Sequence, residues 1–406
     1  MTAPRRLLLE LFQAGLAAVH GRTRVRNDLR RHPIPGPLHV IAIGKAAGAM
    51  ALGAHDAAGA DIRSGLVITK RGHGEPLPWP VLEAGHPMPD NASLAAGTAL
   101  LQFVAALPRD ARVLVLLSGG ASALVELLPG DATLDDLRAL NAWLLASGRD
   151  IAACNRVRKR LSRIKGGRLA AHLAPRSVTC LAISDVPGDD PRVIGSGPLT
   201  ADTTAASEPI DDAPPRLRAL LSASASLPAP DDGCFAGVDY RIVASLADAK
   251  CAVAVAAQAR GLGARIAPTL VAGEAAAVGA ALARELLKSG VPGLTIWGGE
   301  TTVTLPPNPG RGGRNQALAL SAALTLAGHA GIFLLAAGSD GTDGPTEDAG
   351  ALVDGDTIAR GSAEGFDAAL CLRRADAGTF LEASGDLIQT GPTGTNVMDL
   401  ILGLRC

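Results

Sequence analysis

Short apolar runs alternate with helix-like segments along almost the whole chain, and this alternation limits the folds that the sequence can adopt. The runs are continuous rather than alternating, which is typical of strands buried on both faces of a sheet. The pattern predicts the α/β class, with parallel sheets covered by helices. The predicted strands are 39–43, 65–69, 112–117, 178–183, 241–245, 294–297 and 331–337, and the clearest predicted helices are 91–107, 133–148 and 275–290.

Length and composition exclude several classes of protein. A chain of 406 residues is long enough for two domains with full cores. A net charge of −1 and an aromatic content of 2% argue against a nucleic-acid-binding protein, which needs a basic surface or stacking platforms. The cysteines lack paired spacing, so we expect reduced thiols and no zinc site.

The N-terminal segment PRRLLLELFQAGLAAVH predicts an amphipathic helix rather than a signal peptide. Glu10 and Gln13 interrupt the apolar run, while Leu8, Phe12 and Leu16 recur at helical spacing. No apolar run reaches the roughly 20 residues that a bilayer-spanning helix needs. We therefore expect a cytoplasmic protein without membrane contact.

One segment, 209–239, is rich in proline, serine and aspartate and shows little periodicity. It predicts a domain boundary, with a first domain at 1–236 and a second at 237–406. No internal repeat is visible.

The loops that follow the predicted strands carry the candidate chemistry. They read IGK, SGGASAL, SDVPGDD, GGETTV and GSDGTDG. Because ligands of open α/β sheets bind beyond the carboxyl ends of the strands, five such loops predict an active site.

Lys45 follows Gly44 at the point where the first predicted strand turns into a helix. The stretch matches neither the phosphate-loop pattern nor the three-glycine dinucleotide turn. A cation at a helix N-terminus opposes the helix dipole, so a bound anion would explain the choice of residue. The alternative is a lysine that reaches into solvent.

The next two candidates are SGGASAL and the basic segment 155–170. Backbone N–H groups of SGGASAL could hold a carboxylate or phosphate, or the glycines could serve only a tight turn. In the basic segment an apolar face at helical spacing predicts that most charges are solvated and that Gly166 and Gly167 end the helix. Arg158 and Lys165 are candidates to reach an anionic ligand.

Acidic residues and a second cation stand in the remaining loops. Asp185, Glu300, Asp340 and Asp343 follow strands, and carboxylates there suit Mg²⁺, although aspartate before glycine is also common turn chemistry. Arg314 follows a glycine-rich loop near a helix start, and its planar fork suits phosphate oxygens. Two domains that each direct a cation at a ligand predict an anion bound between them.

In this order the loops resemble the glycerate 2-kinase family, also called type II glycerate kinases or MOFRL-containing kinases. The resemblance covers nearly the whole chain. It rests on IGKAAGAM, GHPMPD, LLSGGASAL, LLASG, NRVRKRLSRIKGGRLA, ISDVPGDDPRVIGSGPLTADTT, GGETTVTL, GRGGRNQALALSAAL, AAGSDGTDGPTEDAGALVD and TGPTGTNVMDL. Two positions depart from the usual pattern, Ala317 where glutamate is common and Met398 where a polar residue is frequent.

The resemblance implies transfer of the γ-phosphoryl group of Mg-ATP to the 2-hydroxyl of D-glycerate, which gives 2-phospho-D-glycerate and ADP. It implies an N-terminal Rossmann-like, doubly wound domain and a smaller C-terminal α/β domain, with the active site in the cleft between them. Lys45 and Arg314 match the lysine and arginine regarded as essential in the family. We expect a monomer or homodimer.

Roles for the loop residues follow from this resemblance. Lys45, Arg314 and Asp185 are interpreted as catalytic, with Asp185 orienting or deprotonating the 2-hydroxyl. Substrate or phosphate binding is assigned to Gly44, Ser118, Gly119, Gly120, Ser122, Asn155 and Arg158. Nucleotide binding is assigned to Ser184, Gly298, Gly299, Glu300 and Asn315, and Mg²⁺ binding to Asp185, Asp340 and Asp343.

Two other functions remain open at this point. A hydroxypyruvate reductase using NAD(P)H should carry an acid at the end of the second strand, where this chain has Lys70 and Arg71. A non-catalytic sensor of a small phosphorylated acid would need no magnesium chemistry, yet the acidic loops are present.

Overall fold

The computed structural model describes residues 2–149, 151–203 and 208–406. In chain order the helices are α1 (Ala3–Ala18), α2 (Gly21–Arg31), α3 (Ala47–Ala58), α4 (Asn91–Ala106), α5 (Ala121–Leu124), α6 (Leu134–Ala146), α7 (Ile151–Arg160), α8 (Arg168–Leu173), α9 (Pro215–Ala223), α10 (Leu246–Gln258), α11 (Ala275–Lys288), α12 (Arg314–Leu326), α13 (Thr357–Ala363), α14 (Ala368–Arg373) and α15 (Ala377–Ala383). The strands are β1 (Leu38–Ile43), β2 (Ile62–Lys70), β3 (Val81–Ala84), β4 (Arg112–Leu117), β5 (Ser177–Ile183), β6 (Val238–Ala244), β7 (Ala264–Ile266), β8 (Val271–Glu274), β9 (Gly293–Thr302), β10 (Ile332–Gly338), β11 (Gly350–Asp354), β12 (Leu387–Ile388) and β13 (Asp399–Arg405).

The chain forms two compact units, which we call unit A (residues 21–243) and unit B (residues 1–20 and 244–406). This division differs from the predicted domains, because residues 1–20 belong with the C-terminal part of the chain. The predicted amphipathic helix is present as α1, and it buries Leu8, Phe12 and Leu16 against neighbours that include α10 and β13. Its apolar face therefore completes the core of unit B.

Unit A is built on a six-stranded sheet with the order β3-β2-β1-β4-β5-β6. The neighbouring strands from β3 to β5 run parallel. This order is that of the Rossmann fold, so the predicted Rossmann-like architecture is confirmed. The strand order reverses between β1 and β4, and ligands of such sheets bind beside that point. The loops after β1 and β4 flank it.

Unit B contains a seven-stranded sheet with the order β12-β11-β10-β13-β9-β7, and β8 pairs with β9. Only β7 and β8 run parallel to β9, while β13 is antiparallel to both β9 and β10. The prediction of parallel sheets is therefore wrong for this unit. The loop between β10 and β11 contains no helix, and parallel neighbours would need a longer crossover connection.

The segment predicted as a domain boundary, 209–239, belongs to the fold of unit A. It contains α9, whose Leu217, Leu220 and Leu221 are buried against residues of α6 and α7. Proline and serine around this helix hid its short apolar face from sequence inspection. Among the described residues, every helix is too short or too polar to cross a bilayer.

Candidate functional site

Gly44 and Lys45 lie directly after β1, where the chain turns into α3. Gly44 has φ +129°, and a Cβ atom there would lie 2.2 Å from the Ser118 Oγ atom, so only glycine fits. The Lys45 N–H donates to the Gly119 carbonyl over 2.9 Å, and the Ala46 N–H donates to Ser118 Oγ over 3.0 Å. The two predicted loops after β1 and β4 are thus held together.

Gly120 brings two further side chains to this point. Its φ is +83°, and a Cβ atom at this position would lie 3.0 Å from Lys45 Cγ and 3.2 Å from His86 Cδ2. The side chains of Lys45 and His86 therefore both pack against the SGGAS turn. His86 follows β3, and the sequence analysis gave it no role.

A cavity of about 310 Å³ opens beside this turn within unit A. Four of the predicted binding residues line it: Gly120, Ser122, Asn155 and Arg158. Further lining comes from the segment after β3 and from α6, including His86, Met88 and Asn141. Polar and charged residues therefore line this cavity together with apolar ones such as Met88 and Leu137.

Arg158 supplies the positive charge of this cavity. Its Nε donates to Asn141 Oδ1 over 2.9 Å, and its Nη1 donates to Asn155 Oδ1 over 3.2 Å. Both acceptors are neutral amides, and no carboxylate pairs with Arg158 in the part of the chain that the structure describes. Three nearby cations, in contrast, do form ion pairs with carboxylates: Arg156 with Glu208, Lys159 with Asp202 and Lys165 with Glu126.

Lys165 also lines the cavity, but its charge is compensated. The Lys165 side chain is 7% exposed and pairs with Glu126, which is 1% exposed. Ser162 Oγ donates to the other Glu126 oxygen over 2.6 Å, and the Leu127 N–H donates to it over 2.9 Å. The guanidinium of Arg158 therefore remains as the cation available to a bound anion.

The prediction that most charges of the basic segment are solvated is wrong. Lys159, Lys165 and Arg168 are buried, and Arg168 donates to backbone carbonyls of Lys159 and Ser162. The segment is also not one helix, because α7 ends at Arg160 and α8 begins after Gly167. These side chains donate to acceptors elsewhere in the chain and so connect its loops. Helical spacing in the sequence does not reveal such acceptors.

Ser184 and Asp185 follow β5, the neighbour of β4 in the sheet. Ser184 is buried and Asp185 is half-buried. Neither lines the cavity that contains Arg158. The catalytic interpretation of Asp185 and the nucleotide interpretation of Ser184 stay predictions.

In unit B, Arg314 is the first residue of α12 and is held by two carboxylates. Its Nε and Nη2 donate to Asp399 over 2.6 and 2.9 Å, and its Nη1 lies 2.8 Å from Glu300 Oε1. Burial acts to lower the pKa of Arg314, but the carboxylates of Asp399, Glu300 and Asp343 together outweigh it, so this pKa lies above its usual value. The guanidinium is charged and fixed in direction, with 32% of the side chain exposed.

Asp399 was missed by the sequence analysis, although TNVMDL contains it. Asp399 begins β13 and lies opposite Gly299 of β9. A Cβ atom at Gly299 would lie 2.1 Å from the Val271 carbonyl, and one at Gly298 would lie 2.7 Å from a Leu246 methyl group. Close packing therefore accounts for both glycines, and their assignment to nucleotide binding stays a prediction.

Asp343 caps the start of α12. Its Oδ1 accepts from the Asn315 N–H over 3.0 Å and from the Asn315 side-chain amide over 3.3 Å, while its Oδ2 accepts from the Gln316 N–H over 2.8 Å. Burial raises the pKa of Asp343 to about 7, although these backbone bonds act in the opposite direction.

The three predicted metal ligands lie in different units, Asp185 in unit A and Asp340 and Asp343 in unit B. Across the described ranges, no group of three or more His, Cys, Asp or Glu residues is arranged to hold a metal ion. Both carboxylate oxygens of Asp343 accept hydrogen bonds from α12. Asp340 Oδ1 accepts from the Thr342 N–H over 3.0 Å. The assignment of Mg²⁺ to Asp185, Asp340 and Asp343 stays a prediction.

The fold and the two cation-bearing sites define a two-unit α/β protein with a cavity suited to a small anion. Residues 7–213 match the family described as a domain of unknown function, DUF4147, and residues 293–399 match the MOFRL family.

Curated relatives extend this match over the whole chain. A protein of Thermotoga maritima named D-glycerate 2-kinase is 37% identical over 98% of this chain and 98% of its own length. A protein of Agrobacterium vitis that carries the provisional name hydroxypyruvate reductase is 40% identical over 98% of this chain and 93% of its own length. The crystal structure of glycerate kinase from Thermotoga maritima matches with a TM-score of 0.83 and 36% identity, and the match covers 100% of both chains. The chain belongs to the DUF4147–MOFRL family of glycerate 2-kinases.

Proposed function

We propose that the protein transfers the γ-phosphoryl group of Mg-ATP to the 2-hydroxyl of D-glycerate and so forms 2-phospho-D-glycerate and ADP. Membership of the glycerate 2-kinase family supports the reaction. The cavity of unit A supports the acceptor, because it is small and is lined by the Arg158 guanidinium. Magnesium enters as part of the co-substrate, since Mg²⁺ is commonly held by substrate phosphates with one or two carboxylates.

The observation that carries the proposal is the environment of Arg158. Its guanidinium faces a cavity and is held by two amide oxygens rather than by a carboxylate. A guanidinium without an anionic partner is explained if the bound ligand supplies the negative charge. The carboxylate of glycerate supplies that charge, and the SGGAS turn beside Ser118 and Gly119 would hold the rest of the molecule.

Lys45 and Arg314 are proposed to neutralise charge on the transferring phosphoryl group. Phosphoryl transfer asks an enzyme mainly for positioning and charge stabilisation. The backbone of Lys45 is held at the end of β1, and the guanidinium of Arg314 is held at the start of α12. Asp185 is proposed to orient the 2-hydroxyl and receive its proton.

A reductase is the weaker alternative. The chain has two glycines rather than three in the turn after β1, and β2 ends at Lys70 instead of an acid that would bind a ribose hydroxyl. Mixing the protein with NADH or NADPH and hydroxypyruvate tests this directly. Cofactor oxidation at a rate comparable with phosphorylation would favour the reductase.

The kinase proposal is tested by coupling product formation to enolase, pyruvate kinase and lactate dehydrogenase without phosphoglycerate mutase. Signal in this assay means phosphorylation at the 2-position. Signal that appears only after mutase is added would mean the 3-position, and tight binding of glycerate without ATP turnover would favour a sensor. We propose a cytoplasmic protein, as either a monomer or a homodimer.

A further inference from the structure

The two carboxylates that hold the guanidinium of Arg314 differ in geometry and in burial. Asp399 binds it side-on, since Nε and Nη2 donate to the two oxygens of this carboxylate over 2.6 and 2.9 Å. Glu300 contacts the remaining nitrogen, with its Oε1 atom 2.8 Å from Nη1. The Asp399 side chain is 3% exposed, whereas the Glu300 side chain is 49% exposed. The two ion pairs are therefore not equivalent.

Asp399 is the carboxylate that stays in place. It begins β13, and its backbone lies opposite Gly299 of β9 in the antiparallel ladder. A buried ion pair is costly to break, because removing one partner leaves the other charge buried without compensation. The side-on contact also occupies two of the three guanidinium nitrogens and so sets the direction of the planar group.

Glu300 is the carboxylate that a ligand can displace. It lies on β9 and lines a cavity of about 410 Å³ together with Arg314. An exposed ion pair contributes little to stability, because water solvates both charges when they separate. Nη1, the nitrogen that Glu300 contacts, belongs to the edge of the guanidinium that the side-on contact with Asp399 leaves open. A polyphosphate carries more negative charge than one carboxylate and competes for this edge.

We infer that these carboxylates act in opposite directions on phosphoryl transfer, with Asp399 as a positioning residue for Arg314 and Glu300 as a displaceable substitute for the phosphate. The inference rests on the proposed function, in which Arg314 neutralises charge on the transferring phosphoryl group. In the free protein Glu300 occupies the place of a phosphate oxygen beside Nη1, and it turns into solvent when the phosphates bind. Asp399 keeps the guanidinium directed at that place throughout.

This role of Glu300 differs from the nucleotide-binding role that the sequence predicted. A ligand of the nucleotide strengthens its binding, whereas a competitor for the same cation weakens the binding of the phosphates. The two roles therefore predict changes of opposite sign when the charge of Glu300 is removed.

Titration calorimetry of full-length protein with inorganic tripolyphosphate tests the role of Glu300. Glu300→Gln removes the competing charge at nearly constant shape, so tripolyphosphate should bind about fivefold more tightly, a factor that corresponds to one exposed ion pair. In the Arg314→Gln background the same substitution should leave the affinity unchanged, because its effect acts through Arg314. Glu364→Gln is the matched control, since Glu364 is an exposed glutamate of unit B that follows α13. It removes the same charge and should bind tripolyphosphate as the wild type does.

Steady-state kinetics of Asp399→Asn test the positioning role. Asparagine keeps the shape of the side chain but offers one acceptor oxygen instead of two, so the guanidinium loses its side-on contact. We expect kcat per folded molecule to fall about tenfold to a hundredfold, because a misdirected charge stabilises the transferring group poorly. The KM for D-glycerate should stay unchanged, since the acid binds in unit A. A purely structural role would lower the melting temperature and leave the kcat of the folded molecules intact.

Unchanged or weaker tripolyphosphate binding in Glu300→Gln would overturn the inference, as would a wild-type kcat in folded Asp399→Asn. An equal gain of affinity in Glu364→Gln would also overturn it, because net charge alone would then be the cause. Because tripolyphosphate binding is measured without turnover, a protein that shows the expected gain but does not phosphorylate glycerate would refute the proposed function alone.

Discussion

Arg158 shows how one residue can define a binding site through the partners it lacks. Neighbouring cations are neutralised by carboxylates, whereas Arg158 is oriented by the amide oxygens of Asn141 and Asn155. Amides fix the direction of a guanidinium and leave its charge for a ligand. Asn141 therefore acts as a positioning residue, and it is the partner that sequence inspection did not find.

Asn141→Asp tests this interpretation with almost no change of shape. The new carboxylate would pair with Arg158 and compete with the substrate carboxylate. We expect the KM for D-glycerate to rise about tenfold to a hundredfold, with the KM for ATP unchanged, because a charge-assisted hydrogen bond is lost. Steady-state kinetics with each substrate varied measures both values.

Arg158→Gln should give the same selective rise, and Arg163→Gln is its control, because Arg163 belongs to the same segment and is exposed. An unchanged KM for glycerate in both the Asn141 and the Arg158 variant would refute the role of this cavity.

Asp343 makes a second residue-scale prediction, about pH. Burial raises its pKa to about 7 in the folded protein, against a usual value of 3.8. The folded state therefore binds the proton more tightly than the unfolded state, and the stabilisation is complete below about pH 4 and lost as the pH rises through 7. Between pH 5 and pH 8 the wild type should lose about 2–3 kcal/mol more unfolding free energy than Asp343→Asn. Urea unfolding at both pH values measures this difference, and equal losses would contradict it.

At the scale of elements, the loops after β1 and β4 form one structure. Backbone and side-chain hydrogen bonds join them, and Gly120 gives Lys45 the space it occupies. The two loops lie side by side because the strand order reverses between β1 and β4. This reversal is a property of the sheet and not of either loop.

Gly120→Ala should separate the stability of this loop pair from its function. A side chain at φ +83° costs about 1–2 kcal/mol, and the added methyl group would also press on Lys45. We expect turnover to fall at least tenfold. Gly130→Ala is the control, because Gly130 has φ +57° and no atom within 4 Å of an added Cβ. Gly130→Ala should lower the melting temperature about as much as Gly120→Ala does and should leave turnover unchanged. If the two variants lose turnover equally, the contact with Lys45 is not the cause.

At the scale of the whole molecule, α1 belongs to unit B although unit A begins directly after it. Leu8→Ala should cost about 2–4 kcal/mol of stability, because Leu8 is fully buried. Hydrogen exchange should increase within residues 244–406 and not within 21–243. Gln13→Ala, on the exposed side of α1, should leave both patterns unchanged. Faster exchange confined to 21–243 would contradict this division.

The sequence predicted the strands of unit A well because each is a continuous apolar run between polar loops, as β1 and β4 show. The sequence predicted the sheet of unit B less well. The direction of β13, the last strand, depends on its insertion between β9 and β10 and not on its own residues. Arg158 could be proposed from charge alone. Asn141 could not, because a partner on a neighbouring helix leaves no local pattern.

The central claim is that the protein phosphorylates D-glycerate at its 2-hydroxyl, and proton-coupled ³¹P NMR of the product tests it most directly. A phosphate at the 2-position is coupled to one proton, so the account predicts a doublet that appears with Mg-ATP and D-glycerate and is absent in Lys45→Ala. A triplet would place the phosphate at the 3-position beside two protons. That triplet, or the absence of any phosphoglycerate signal from the wild-type protein, would contradict the account.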